Sequence, residues 1–139
     1  MALDHGVDVI YVSNHGGRQL DHGQATIEML PEIVDTVSGK AEILIDSGFL
    51  RGSDIVKAIA LGAKAVAIGK LQGWTLAAGG IAGLVRALEL LEAELITTMG
   101  LLGVTRVDQI CAAHVCKVHP TTPPHEMSTF VHIPGGRIL

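Results

Sequence analysis

Residues 41–70 read AEILIDSGFLRGSDIVKAIALGAKAVAIGK, and the fold follows from this stretch. AEILI is a short apolar run that stops at Asp46-Ser47-Gly48, the pattern of a strand in a parallel sheet covered on both faces. Ile55, Val56, Ile59 and Ala60 then recur at helical spacing, with Ser53 as the expected N-cap and Gly62 as a left-handed stop. AVAI (65–68) is a second strand ending at Gly69-Lys70. Strand, helix and strand in close succession form a βαβ unit, whose strands are parallel and whose crossover is right-handed.

The same grammar extends in both directions. Upstream, VDVIYVS (7–13) is a β-branched run that stops at Asn14-His15-Gly16-Gly17-Arg18, and it reads as a strand buried on both faces. Ile27, Leu30, Ile33, Val34 and Val37 predict a helix over 25–37 that ends at Ser38-Gly39 and places Pro31 in its first turn. Downstream, Leu84, Leu88, Leu91 and Leu95 predict a helix over about 78–99. Three consecutive βα units imply an α/β fold whose chemistry lies at the carboxyl ends of the strands. Beyond Thr105 the periodicity fades, and residues 111–139 are expected to be a partly irregular tail.

Composition narrows the function. The 139 residues are 48% hydrophobic and 17% charged, with mean hydropathy +0.44, which excludes a disordered chain. The formal charge of −4 leaves no basic footprint for nucleic acid. The apolar stretch 74–102 is interrupted by Arg86, Glu89, Glu92 and Glu94, so it reads as the buried helix of a soluble protein, not a membrane span. MALDHGVDV has no export signal. Cys111 and Cys116 are too few and too close for a disulfide framework, which suits a reducing compartment. The expected location is the cytoplasm.

Three loops offer chemistry. His15 and Arg18 lie on one loop with two glycines between them, so a base and a planar carboxylate clamp can share a pocket. A glycine turn whose side chains bond only to neighbouring carbonyls fits the same spacing. Asp46-Ser47-Gly48 and Gly69-Lys70 suit backbone N–H contacts to a phosphate, or simply tight βα turns. His114, Cys116, His119 and His125 do not form the paired spacing of a zinc site, and no metal is expected.

The segments SNHGGRQLD (13–21), DSGFLRGSDIVKAIALGAKAVAIGK (46–70) and AAGGIAGLVRALELLEAEL (77–95) resemble the C-terminal third of the FMN-dependent α-hydroxy-acid oxidases and dehydrogenases, among them glycolate oxidase, flavin-type L-lactate dehydrogenase and mandelate dehydrogenase. The resemblance spans residues 1–110. It implies an α/β fold made of the last three βα units, strands six to eight, of an incomplete TIM (β/α)8 barrel. It further implies an oxidoreductase that converts an L-2-hydroxy acid to the 2-oxo acid with FMN.

On that resemblance His15 is the proton acceptor and Arg18 binds the substrate carboxylate. Ser13 lies near the flavin, Asp46, Ser47, Gly48, Phe49, Leu50 and Arg51 belong to one wall of the phosphate site, and Gly69 with Lys70 forms the other. Leu50 and Lys70 stand where the family carries arginines on the phosphate, and Arg51 is the residue able to swing in for the charge missing at Leu50. The barrel's other five units would carry a flavin-contacting lysine, substrate-site tyrosines, a second substrate arginine and an acidic partner for the histidine. A three-unit piece is expected to expose two sheet edges and the apolar inner face. The alternative to the enzyme segment is a non-catalytic remnant that self-associates as a homo-oligomer.

Overall fold

The structure, a computed structural model, describes residues 2–20 and 22–118. Strands β1 (Val9–Val12), β2 (Glu42–Ile45) and β3 (Ala65–Val66) form one parallel sheet in the order β1-β2-β3. Val9 pairs with Glu42 and Val12 with Ile45, while Leu44 pairs with Ala65 and Ile45 with Val66. Each strand is followed by a helix: α1 (Thr26–Val37), α2 (Gly52–Ala60) and α3 (Lys70–Leu102). The result is an incomplete, barrel-like arrangement of three βα repeats.

Side-chain alternation divides the sheet into two unlike faces. Val12, Ile43 and Ile45 point toward the helices and join Leu30, Val37, Phe49, Ala58 and Ala63 in the main core. Leu30 and Ile45 are fully buried, and truncating either to alanine costs about 2–5 kcal/mol. A second cluster, Val56, Ala60, Met99 and Ile110, joins α2 to α3 and to the segment that follows.

The opposite face departs from the expectation of strands covered on both sides. Val9 is 44% and Tyr11 54% exposed, because no layer among the described residues packs on that side. Among the described residues both outer strands, β1 and β3, also pair on one edge only. The exposed inner face and open edges expected of a three-unit piece are therefore present.

Three local expectations are corrected. Pro31 lies in the second turn of α1, not the first, at an exposed position where its ring cannot donate to the carbonyl of Ile27. The start of α2 is set by Asp54 and not by Ser53: its carboxylate accepts the N–H groups of Leu50 and Arg51 at 3.2 and 3.1 Å. Helix α3 begins at Lys70 instead of near residue 78, and its backbone leaves helical geometry at Gly79 and Gly80. That break separates a first helical piece, invisible to leucine periodicity, from the expected one.

The long helix is also not buried. Ala87, Leu91 and Met99 pack inward, whereas Leu88, Ile81, Ile96 and Leu101 are exposed. It has the length and composition of a membrane span, yet one stripe is engaged on α2 and the glycine pair interrupts it. Two 3-10 turns, Val107–Gln109 and Ala112–His114, follow it.

Candidate active site

The three loops at the carboxyl ends of the strands converge on one cleft of about 640 Å³. The loop after β1 contributes Asn14 to Arg18, the loop after β2 contributes Asp46 to Leu50, and β3 leads into Gly69, Lys70 and, one turn along α3, Trp74. His15, Arg18, Asp46, Ser47, Gly48, Phe49, Leu50, Gly69 and Lys70 thus share one cavity. A parallel sheet dictates this, since all its strands present the same end to one side.

His15 is held from several directions. Its backbone sits in the left-handed region with φ +55°, and its N–H donates to Ser13 Oγ at 3.1 Å. On the ring, Nδ1 lies 2.7 Å from Gln19 Oε1. An amide oxygen only accepts, so Nδ1 is the donor in this contact and proton exchange falls to Nε2.

Asp46 and Ser47 tie β2 to that loop. Tyr11 Oη donates to Asp46 Oδ2 at 2.8 Å, and Ser47 Oγ donates to Asp46 Oδ1 at 2.7 Å. Partial burial pushes the Asp46 carboxyl up, but hydrogen bonds from Ser13, Ser47 and Tyr11 and the nearby His15 charge outweigh it, leaving the group below its ordinary value of 3.8. The same bond raises the Tyr11 phenol above 10.0, reinforced by burial and by the carboxylate charge.

The other end of the cleft suits a phosphate. A Cβ built on Gly48 or Gly69 would meet nothing within 4 Å, so the backbone at both positions lies open to a ligand, and φ at Gly48 is +94°. Lys70 supplies positive charge, with its ammonium on the Gly16 carbonyl oxygen at 2.7 Å. Leu50 lines the wall without charge.

Two residues of the expected site lie apart from the cavity lining. Ser13 supports the His15 backbone from behind. Arg51 turns away and grips α3: its Nε lies 2.8 Å from Glu94 Oε1 and its Nη2 2.8 Å from the same oxygen. Gly52 N–H completes the clasp at 2.8 Å from Glu94 Oε2. Here Arg51 serves α3 and not the phosphate wall, because a carboxylate on α3 matches its planar fork.

Sequence spacing did not single out Tyr11, Gln19, Glu94 or Trp74. The i to i+4 interval from His15 to Gln19 was the only local signal. The rest act across 35 or more residues of chain for Tyr11 and Glu94. Among the described residues no group of three or more His, Cys, Asp or Glu is placed to hold a metal. His114 Nδ1 accepts the Cys111 N–H at 3.0 Å, both cysteines are free thiols, and His119 and His125 lie outside the described residues.

Comparison with known proteins agrees with this geometry. Residues 1–117 match the family described as FMN-dependent dehydrogenase. The chain is 50% identical over 109 residues to an L-lactate oxidase from Nostoc sp., covering 78% of this chain and 30% of that protein. It is 45% identical over 121 residues to a putative L-lactate dehydrogenase from Mycobacterium tuberculosis, covering 87% and 29% respectively. A crystal structure of mandelate oxidase with benzoyl-formic acid superposes with a TM-score of 0.74 at 50% identity, over 78% of this chain and 32% of that one. The chain thus spans about 30% of the length of these relatives. With half of its matched residues identical to those of the L-lactate oxidase and its cleft at the strand ends, this chain belongs to the FMN-dependent dehydrogenase family.

Proposed function

We propose that this chain forms the C-terminal three βα units, strands six to eight, of an enzyme that oxidises an L-2-hydroxy acid to the 2-oxo acid with FMN. The carrying observation is the single cleft that joins the His15–Arg18 loop to the open glycine loops at Gly48 and Gly69. Residues 1–110 belong to the barrel and 111–139 to a tail. The likeness to L-lactate and mandelate oxidases supports the substrate class: a small acid with a hydroxyl next to its carboxylate.

When bound, FMN supplies the two-electron acceptor. Gly48, Gly69 and Lys70 hold its phosphate, Asp46 through Leu50 line its wall, and Ser13 braces the loop beside it. Arg18 presents its guanidinium to the substrate carboxylate as a planar fork. His15 takes a proton from the substrate through Nε2, while Gln19 holds the ring at Nδ1. A base is needed at this position whether the electrons leave as a carbanion pair, with the Cα proton taken, or as hydride, with the hydroxyl proton taken.

A chimera tests the reading. Residues 1–117 would replace the matching segment of the Nostoc L-lactate oxidase, and flavin bleaching would be followed anaerobically with L-lactate, glycolate and mandelate. Bleaching that is abolished by His15→Ala and weakened in substrate affinity by Arg18→Ala is expected. Undiminished bleaching in His15→Ala overturns the assignment.

The exposed inner face favours a second reading, a non-catalytic piece that self-associates through Val9 and Tyr11. Sedimentation of the 139-residue chain separates the two. A stable homo-oligomer that binds no FMN supports the second.

A further inference from the structure

The loop bearing His15 has a second anchor, outside its own segment. Ser47, at the end of β2, has φ +78°, a left-handed conformation that a residue with a Cβ adopts only when its surroundings enforce it. Its hydroxyl is fully engaged. Oγ donates to Asp46 Oδ1 at 2.7 Å and accepts the N–H of Asn14 at 3.3 Å and of Gly16 at 3.2 Å. These two donors flank His15 in the chain. Glycine would relieve the backbone but provide no oxygen, so the unfavourable conformation at a partly buried position is retained together with a hydroxyl that bridges two strand ends.

We propose that Ser47 is the positioning residue for His15, pinning the loop after β1 to the end of β2 through the Asn14 and Gly16 amides, with Asp46 fixing the direction of its hydroxyl. The role in catalysis rests on the function proposed above, whereas the pinning itself is a property of the chain without ligand. Asn14 Oδ1 also accepts the Gly16 N–H, at 2.9 Å, so the Asn14 amide is the group that depends most on Ser47.

Ser47→Gly and Ser47→Ala separate strain from pinning. Both remove the oxygen, and only alanine keeps the Cβ. In amide hydrogen exchange on the 139-residue chain, the Asn14 amide should exchange roughly tenfold faster in both variants. Protection of the Asp46 amide, bonded to Val12 O at 3.1 Å, should stay unchanged. The thermal midpoint should hold or rise in Ser47→Gly and fall in Ser47→Ala. Unchanged Asn14 exchange in Ser47→Gly overturns the pinning.

A kinetic arm, on the FMN-loaded chimera described above with L-lactate, addresses the positioning. Ser47→Gly should lower kcat by about a hundredfold, the size of effect an ångström of misplacement produces, with KM changed less than about threefold. Faster exchange with unaltered kcat overturns the positioning role. Absence of turnover in the chimera with Ser47 intact counts against the proposed function and against any catalytic role for Ser47, while exchange still decides the pinning.

Discussion

Lys70 Nζ lies 2.7 Å from the carbonyl oxygen of Gly16, so the residue that follows β3 holds the loop that follows β1. The contact is close enough that a Cβ on Gly16 would fall 2.9 Å from the Lys70 side chain. An ammonium carries three donors, so Lys70 can keep this bond and still face an anion between the two loops. The cation of the proposed phosphate site is thereby fixed to the loop that carries the proposed base.

Lys70→Met should weaken FMN binding by about ten- to a hundredfold, the worth of one hydrogen bond to a charged group. Riboflavin, which lacks the phosphate, should bind Lys70→Met and the unsubstituted chain equally. Quenching of Trp74 reads both titrations, because it is the sole tryptophan and it lines the cleft. Equal weakening for the two flavins would contradict a phosphate role.

Leu50 and Arg51 should respond in opposite ways. Leu50 is 42% exposed on the cleft wall, so Leu50→Arg adds a cation without disturbing the core and should tighten FMN binding by about tenfold. Arg51→Ala should leave FMN affinity unchanged and lower the denaturation midpoint, since its guanidinium serves Glu94. The same titrations, paired with thermal melts, check both.

Gly52 marks the closest approach of two helices. A Cβ there would lie 2.4 Å from the backbone nitrogen of Leu95, which cannot move aside as a side chain can. Gly52→Ala should therefore push α3 from α2 and cost about 2–3 kcal/mol, read from urea unfolding. A change below about 0.5 kcal/mol would show that the helices part freely.

The Tyr11–Asp46 bond gives stability a dependence on pH at both ends. Asp46 has a depressed folded value, so its contribution is complete above 3.8, the unfolded value, and is lost as pH falls through the lower folded one. Tyr11 has a raised folded value, so its contribution is complete below 10.0 and is lost as pH rises through the higher folded one. Tyr11→Phe should abolish the alkaline loss and reduce the acid one. Urea midpoints across the pH range measure both limbs.

The repeating units were legible because each strand is an apolar run and each helix an apolar stripe, both properties of adjacent residues. The SNHGGR segment was legible as a candidate site because His15 and Arg18 are local neighbours. Helix α3 was read in part: leucine spacing starts after Gly79-Gly80 and carries no information about the turns from Lys70 onward. Its burial was misjudged because hydropathy describes what a helix prefers to contact, and here α2 and the following segment cover only one stripe of it.

By itself the sequence determined the βα order, the parallel sheet and the three loops that meet at its carboxyl edge, since periodicity and turn chemistry act over a few residues. Tertiary structure alone decided which charges serve which loop. Arg51 is bound to Glu94 and not to the cleft, Lys70 reaches across to Gly16, and Ser47 bridges β2 to the His15 loop. Each of these contacts joins residues more than 30 apart in the chain, and its direction depends on how strands and helices pack before any side chain finds its partner.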